Sequence, residues 1–234
     1  MTAASTGGES TAGRLDKELA DIEARVQALG AWSLSMLRDG MAAFARGDTS
    51  LAADVVGRDD HLNASDVEIE QEAMRLLVTQ QPAGRDLRAL GAVLKIVTYL
   101  DRIGRYGYDL ARLATGTATE QRGSPWPLLQ IMSDQAASMV QTALRAFETR
   151  DLGMARAVYE ADDAVDELNR QVLTECVAGT KAGADGSGLL KEVLVSRDLE
   201  RVADNACKIA EKTIYMVTGR RRTQFLGKDG KVSL

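Results

Sequence analysis

Four pairs of polar side chains spaced i, i+4 carry most of the chemistry this sequence can offer. Asp162 with Asp166 and Glu200 with Asp204 lie in the second half, and Asp59 with Asn63 and Asp101 with Arg105 occupy matching places in the first. Residues four apart sit one turn from each other on one helix face, so two such pairs on antiparallel neighbours bring four side chains together. Four carboxylates placed this way repel one another and resist desolvation. A cluster of cations relieves both costs, and all-oxygen donors select hard ions such as Mg²⁺, Mn²⁺, Ca²⁺ or iron. The second set, Asp162, Asp166, Glu200 and Asp204, keeps four acids and is read as the metal site. In the first set Arg105 and Asn63 stand where acids would. The Arg105 guanidinium can pair with Asp101 or Asp59 and replace the charge of a cation, so this degraded site is expected to be metal-poor. Acidic pairs also decorate ordinary solvated helices. What sets these apart is their recurrence in both halves and the position of Glu200 and Asp204 beside a seam of small residues.

The elements that must position these groups follow from composition and spacing. The chain has 234 residues, 45% hydrophobic and only 4% aromatic, with 3 Pro, which is poor material for a sandwich or barrel. Two runs show 3,4 spacing: Leu90, Val93, Val97, Leu100, Gly104, Gly107, Ala111 and Ala114, then Leu199, Val202, Ala206, Ile209, Thr213 and Met216. Such runs are the seams of bundled helices. Six long helices are expected, over residues 15–46, 51–80, 85–115, 124–150, 152–177 and 189–219, with a flexible loop at 179–188. The polar segments 1–13 and 220–234 read as a disordered tail and a basic C-terminal tail. The chain also repeats: Ala43-Phe44 and Asp48 recur as Ala146-Phe147 and Asp151, and Asp59-Asp60 recurs as Asp162-Asp163. The predicted fold is therefore all-α, two tandem three-helix bundles over residues 14–116 and 124–219.

Leu199-Glu200-Arg201-Val202-Ala203-Asp204-Asn205-Ala206, followed by Ile209-Ala210-Glu211 and Tyr215 to Gly219, resembles the PhoU family. Its first-half counterpart Leu100-Asp101-Arg102-Ile103-Gly104 does too, together with Gln81-Pro82, Asp86-Leu87-Arg88 and Leu94-Lys95-Ile96. The resemblance spans about residues 15–220. It implies two repeated three-helix bundles able to hold multinuclear metal clusters. It further implies a homodimeric negative regulator of phosphate-starvation genes that links a phosphate ABC transporter to a sensor histidine kinase at the inner membrane face. Four positions depart from the family pattern: Arg105 replaces an acid, Asp109 and Lys208 replace an asparagine, and Asn205 replaces a histidine.

Other features narrow the classes. A formal charge of −5 argues against nucleic-acid binding. Two cysteines, Cys176 and Cys207, cannot build a zinc cage or a disulfide framework and read as core packing. No apolar run is long enough to span a membrane and no signal peptide is present, so the chain is placed in the cytoplasm, with peripheral membrane association open. A single histidine cannot supply the two Glu-x-x-His motifs of a carboxylate-bridged redox enzyme, and no enzymatic nucleophile–base set appears. The alternative reading is a histidine phosphotransfer-type or other helical metal-binding signalling module, using His61, which otherwise reads as solvated or salt-bridged. Arg102 and Arg201 read as partners of neighbouring surface carboxylates, and Arg220 to Arg222 as a complement to the last helix dipole.

Overall fold

The computed structural model describes residues 11–114 and 125–220. Every regular element among them is a helix: α1 (Thr11–Arg46), α2 (Thr49–Gly57), α3 (Asp59–Gln80), α4 (Gly84–Leu113), α5 (Trp126–Thr149), α6 (Leu152–Lys181) and α7 (Gly186–Thr218). These are the six expected stretches with the second divided at Arg58. Gly57 weakens the helix there, and Arg58 is pulled aside by ion pairs to Asp39 at 2.6 Å and Asp54 at 2.5 Å. The corresponding residues of α6, Glu160 and Ala161, leave that helix unbroken. The loop expected at 179–188 shrinks to 182–185, because α6 runs on to Lys181 and Asp185 caps α7 by accepting from the Ser187 and Gly188 amides. Helix α1 starts before the expected residue 15. Of the tails expected at 1–13 and 220–234, residues 11–13 are instead the first turn of α1; residues 1–10 and 221–234, and the break at 116–123, lie outside the described residues.

Both seams face inward as the spacing requires, and every residue named in them is buried. The small residues of the α4 seam set how closely α1 can lie: a Cβ on Gly107 would stand 2.5 Å from the Leu37 nitrogen. The repeat is equally visible at the first turn of each half. Ala43 and Phe44, like Ala146 and Phe147, are fully buried. Asp48 and Asp151 cap the next helix, and each donates its amide to the carbonyl of the repeated alanine. The left-handed position before each cap is Gly47 at φ 62° in the first half and Arg150 at φ 59° in the second. A glycine adopts that conformation freely and an arginine does not. Arg150 is retained by its side chain, which pairs with Glu23 of α1 and donates to the Phe147 carbonyl at 2.6 Å.

The two bundles meet antiparallel through α4 with α7 and α1 with α5. Arg88 near the start of α4 donates to the Met216 carbonyl near the end of α7 at 3.3 Å, while Asp109, late in α4, acts on Asp198, early in α7. On the other side Gln27 of α1 donates to the Leu144 carbonyl of α5 at 3.1 Å, and Gly30 gives room to the Leu144 side chain. The halves are thus related by an internal two-fold. No described helix is long and apolar enough to cross a membrane.

Candidate metal centre

In the second bundle the acids stand on α6 and α7 beside the buried seam. Asp162 and Glu200 are half-buried, whereas Asp166 and Asp204 are exposed to solvent, so the cluster opens outward at one edge. Burial, then the charges of Asp166 and Asp204, push the Asp162 carboxyl up to about 6, and the Cys207 thiol partly offsets this by hydrogen bonding. Glu200 is raised by the same causes in the same order: burial, Asp166 and Asp204. Asp162 and Glu200 therefore each feel Asp166 and Asp204, one on the same helix and one across the pair, as the paired spacing requires. For Glu200 the pull of Arg201 and Arg197 opposes this only in part, and the net negative field is the state a cation relieves.

Three residues beyond the expected set support this cluster. Asn169, two turns after Asp162 on α6, donates to Glu200 Oε2 at 2.9 Å, and Ser196 donates to Asn169 Oδ1 at 2.6 Å. Glu200 is thereby fixed from the neighbouring helix. Cys207 lies buried beneath Asp162 and approaches the Val158 carbonyl at 3.8 Å. The spacing signal was available, since Asn169 follows Asp166 by three residues and Cys207 follows Asp204 by three, which puts them on the same faces. An amide and a thiol carry no obvious mark of such a role. As the side chains stand, no three His, Cys, Asp or Glu groups among the described residues converge tightly enough to hold an ion. The donor set of the second bundle fits hard cations in its chemistry: all-carboxylate, mutually repelling, and half-buried at Asp162 and Glu200.

The first bundle is built differently at the matching place. Arg105 reaches Asp101 at 3.0 Å and Asp59 at 3.4 Å, and donates to Asn63, whose amide in turn donates to Asp59 at 3.1 Å. One guanidinium ties all the other members of the set together, and Asp101 holds it strongly in its charged form. This arrangement does not fit a cation, because a fixed positive charge already occupies the centre. Nearby Asp66 is raised by burial and then by Asp101 and Glu70, against the opposing pull of Arg105. The Asp101 Oδ1 atom is buried and receives no hydrogen bond from the described residues.

His61 is exposed and packs edge-on against Trp32, ring centroids 4.4 Å apart, with no salt bridge among the described residues. Cys176 and Cys207 are buried, as core packing requires. Arg102 and Arg201 make no ion pair among the described residues, contrary to expectation. Both are exposed, and Arg201 acts on Asp198 and Glu200 only at longer range, because Asp101 is taken by Arg105 and Glu200 by Asn169. Arg220 is exposed, and its amide, not its side chain, closes the end of α7 by donating to Thr218 Oγ1 at 3.1 Å.

Known proteins share both the fold and the repeat. The chain is 32% identical to a phosphate-specific transport system accessory protein PhoU homolog of Pseudomonas aeruginosa, over 88% of this chain and 86% of that one. It is 33% identical to the corresponding homolog of Caulobacter vibrioides, over 92% and 94%. The crystal structure of PhoU from Pseudomonas aeruginosa superposes with a TM-score of 0.83 at 32% identity, covering 88% of this chain and 99% of that one. The phosphate transport system regulatory protein PhoU from Streptococcus pneumoniae gives the same score at 24% identity, covering 88% and 98%, which shows the shared fold. The PhoU domain matches twice, over residues 26–114 and again over 129–213, one copy on each bundle just described. With both repeats matched, the chain belongs to the PhoU family.

Proposed function

We propose that this protein is a negative regulator of the phosphate-starvation response: a scaffold without catalytic activity that links a phosphate ABC transporter to a sensor histidine kinase on the cytoplasmic side of the inner membrane. The observation that carries the reading is the double PhoU domain match, backed by relatives named as accessory proteins of the phosphate-specific transport system. The geometry agrees with a scaffold. The polar groups of the site are carboxylates on rigid helices, and the one thiol beside them, Cys207, is buried under Asp162. Asp162, Asp166, Glu200 and Asp204 are the residues that would hold metal ions, and ions there would supply structural and electrostatic cross-linking of α6 to α7. Asn63 and Arg105 leave Asp59 and Asp101 as an ion-paired vestige. The protein works as a homodimer, and its acidic charge directs it to proteins rather than nucleic acid.

Deletion of the coding region tests the regulatory reading. Alkaline phosphatase should become constitutive in phosphate-replete medium, and an unchanged response would sink it. Elemental analysis tests the metal assignment. Glu200→Ala should strip bound metal and Asp101→Ala should keep it; the opposite result reverses the assignment. A second reading, phosphoryl transfer through His61, is favoured only by that ring's exposure. It requires labelled phosphoryl acceptance that disappears in His61→Ala.

A further inference from the structure

In the second bundle each half-buried acid is held by a neutral donor from the opposite helix. Asn169 of α6 donates to Glu200 Oε2 of α7 at 2.9 Å, and the Cys207 thiol of α7 donates to the Asp162 carboxyl of α6. The arrangement is reciprocal, since α6 holds the acid of α7 and α7 holds the acid of α6. Asp166 and Asp204, the exposed member of each pair, accept no side-chain hydrogen bond among the described residues. Arg197 and Arg201 pull on Glu200 without forming an ion pair with it among those residues. Asn169 is itself aligned. Ser196 is fully buried, and its hydroxyl donates to Asn169 Oδ1 at 2.6 Å, with only the weak acceptor Met132 Sδ also near, at 3.5 Å. With Oδ1 taken by that proton, the amide NH₂ is left to face Glu200. Ser196 and Glu200 lie four residues apart on α7, so one amide spans both. The single proton of the buried Cys207 has two acceptors in reach, the Asp162 carboxyl and the Val158 carbonyl at 3.8 Å, and the charged one is the stronger.

The first bundle lacks these donors. At the offsets of the repeat, Asp66 stands for Asn169, Val97 for Ser196 and Tyr108 for Cys207. Asp66 senses Asp101 where Asn169 meets Glu200: burial, then the Asp101 charge, push its carboxyl up. Val97 is buried but carries no hydroxyl. Asp101 Oδ1 is buried and accepts no hydrogen bond among the described residues. Tyr108 lies beneath Arg112, whose guanidinium carbon is 5.8 Å from the ring centroid. Holding the acids falls there to Arg105, which does it with a positive charge. The bundle that keeps four acids thus holds them with neutral groups, and the bundle that has lost two holds the remainder with a cation.

We propose that Asn169, aligned by Ser196, and Cys207 are positioning residues of the second-bundle metal centre. They fix Glu200 and Asp162 through hydrogen bonds that bring no positive charge, so both carboxylates stay available to a cation. An arginine at either place would cancel that charge, as Arg105 does in the first bundle. Donors of this kind strengthen metal binding because the ligand side chains are already ordered when the ion arrives, and losing one weakens binding by about 10–100-fold. The proposal rests on the metal reading, that Asp162, Asp166, Glu200 and Asp204 hold the ions.

The test titrates the full-length protein, stripped with chelator, with Mn²⁺ alone, by isothermal calorimetry and by manganese paramagnetic resonance. The variants are Asn169→Leu, Ser196→Ala, both together, Cys207→Ala and Cys207→Ser. Thr213→Ala is the control, because it removes another buried α7 hydroxyl, one that donates to the Ile209 carbonyl of its own helix. Folding of each is checked by circular dichroism and by melting in chelator. Asn169→Leu should weaken Mn²⁺ binding roughly tenfold or more, and Cys207→Ala severalfold. Cys207→Ser restores a donor and should bind as wild type. Ser196→Ala should weaken binding by less than Asn169→Leu. Added to Asn169→Leu it should cost nothing further, since Ser196 acts only through Asn169. Thr213→Ala should melt lower yet bind as wild type. Wild-type affinity in Asn169→Leu or in Cys207→Ala, with metal still lost in Glu200→Ala, overturns the positioning proposal and leaves the metal assignment standing. Additive losses in the Ser196→Ala and Asn169→Leu pair, no recovery in Cys207→Ser, or an equal loss in Thr213→Ala would mark a general loosening of the bundle and also overturn it. A wild-type chain that takes up no Mn²⁺ removes both the proposal and the metal reading.

Discussion

Removing one charge from the second-bundle cluster should stabilise the metal-free protein, although it removes a polar group from a semi-buried site. Asp162 is raised from 3.8 to about 6, by burial first and then by Asp166 and Asp204. A group whose folded pKa lies above its unfolded value binds more protons when folded, so its ionisation opposes folding. The cost is absent below about pH 4, grows as the pH rises toward 6, and is constant above that. Taken in full, the displacement corresponds to about 3 kcal/mol at 1.36 kcal/mol per pKa unit. Asp162 keeps substantial contact with water, and solvent screening reduces this to about 1–2 kcal/mol. For a chain of this size that is a rise of about 3–6 °C in Tm. The assay is calorimetric melting of wild type and Asp162→Asn in chelator at pH 4 and pH 8. The variant should melt higher at pH 8, and the two should converge at pH 4. An Asn variant that melts lower at pH 8, or a difference that does not depend on pH, would refute the picture of an uncompensated acid cluster.

Saturating Mn²⁺ should reverse the sign at pH 8, with wild type now the more stable, because Asp162 has become a donor rather than a burden; melting with and without the ion checks this. Arg105→Asp should convert the first site into a second acidic set and raise the manganese-to-protein ratio by elemental analysis, while Arg105→Ala should lower stability by only about 0.5–1.5 kcal/mol in urea unfolding, with the loss shrinking at high salt, because the guanidinium is partly exposed. Gly107→Ala should cost about 3 kcal/mol or more in the same unfolding experiment, since its Cβ would meet the α1 backbone rather than a movable side chain. Arg150→Gly should relieve a left-handed backbone but lose the Glu23 pair, leaving stability within about 1 kcal/mol of wild type by urea midpoint.

Much of the architecture was written locally. The 3,4 seams of α4 and α7 place Leu90 to Ala114 and Leu199 to Met216 inward because helix period alone decides which side of a helix is apolar. The repeat of Ala43-Phe44 and Asp48 reads directly as a buried pair and a helix cap, since both roles are fulfilled within one turn. Pairing of carboxylates at i, i+4 is likewise a property of one helix. Other outcomes depended on residues far apart in sequence. The break at Arg58 is held by Asp39 of α1 and the retention of Arg150 by Glu23, both contacts across helices that no local pattern announces. Arg105 could be expected to pair with Asp101 or Asp59; that it takes both, and Asn63 as well, follows from how closely α3 approaches α4. Among the described residues Arg102 and Arg201 make no ion pair, because Arg105 takes Asp101 and Asn169 takes Glu200. Asn169 and Ser196 became the support of Glu200 only once α6 lay against α7. Sequence fixes the faces of each helix through periodicity, whereas partners, burial and the sharing of charge are set by the distances between helices, which exist only in the packed fold.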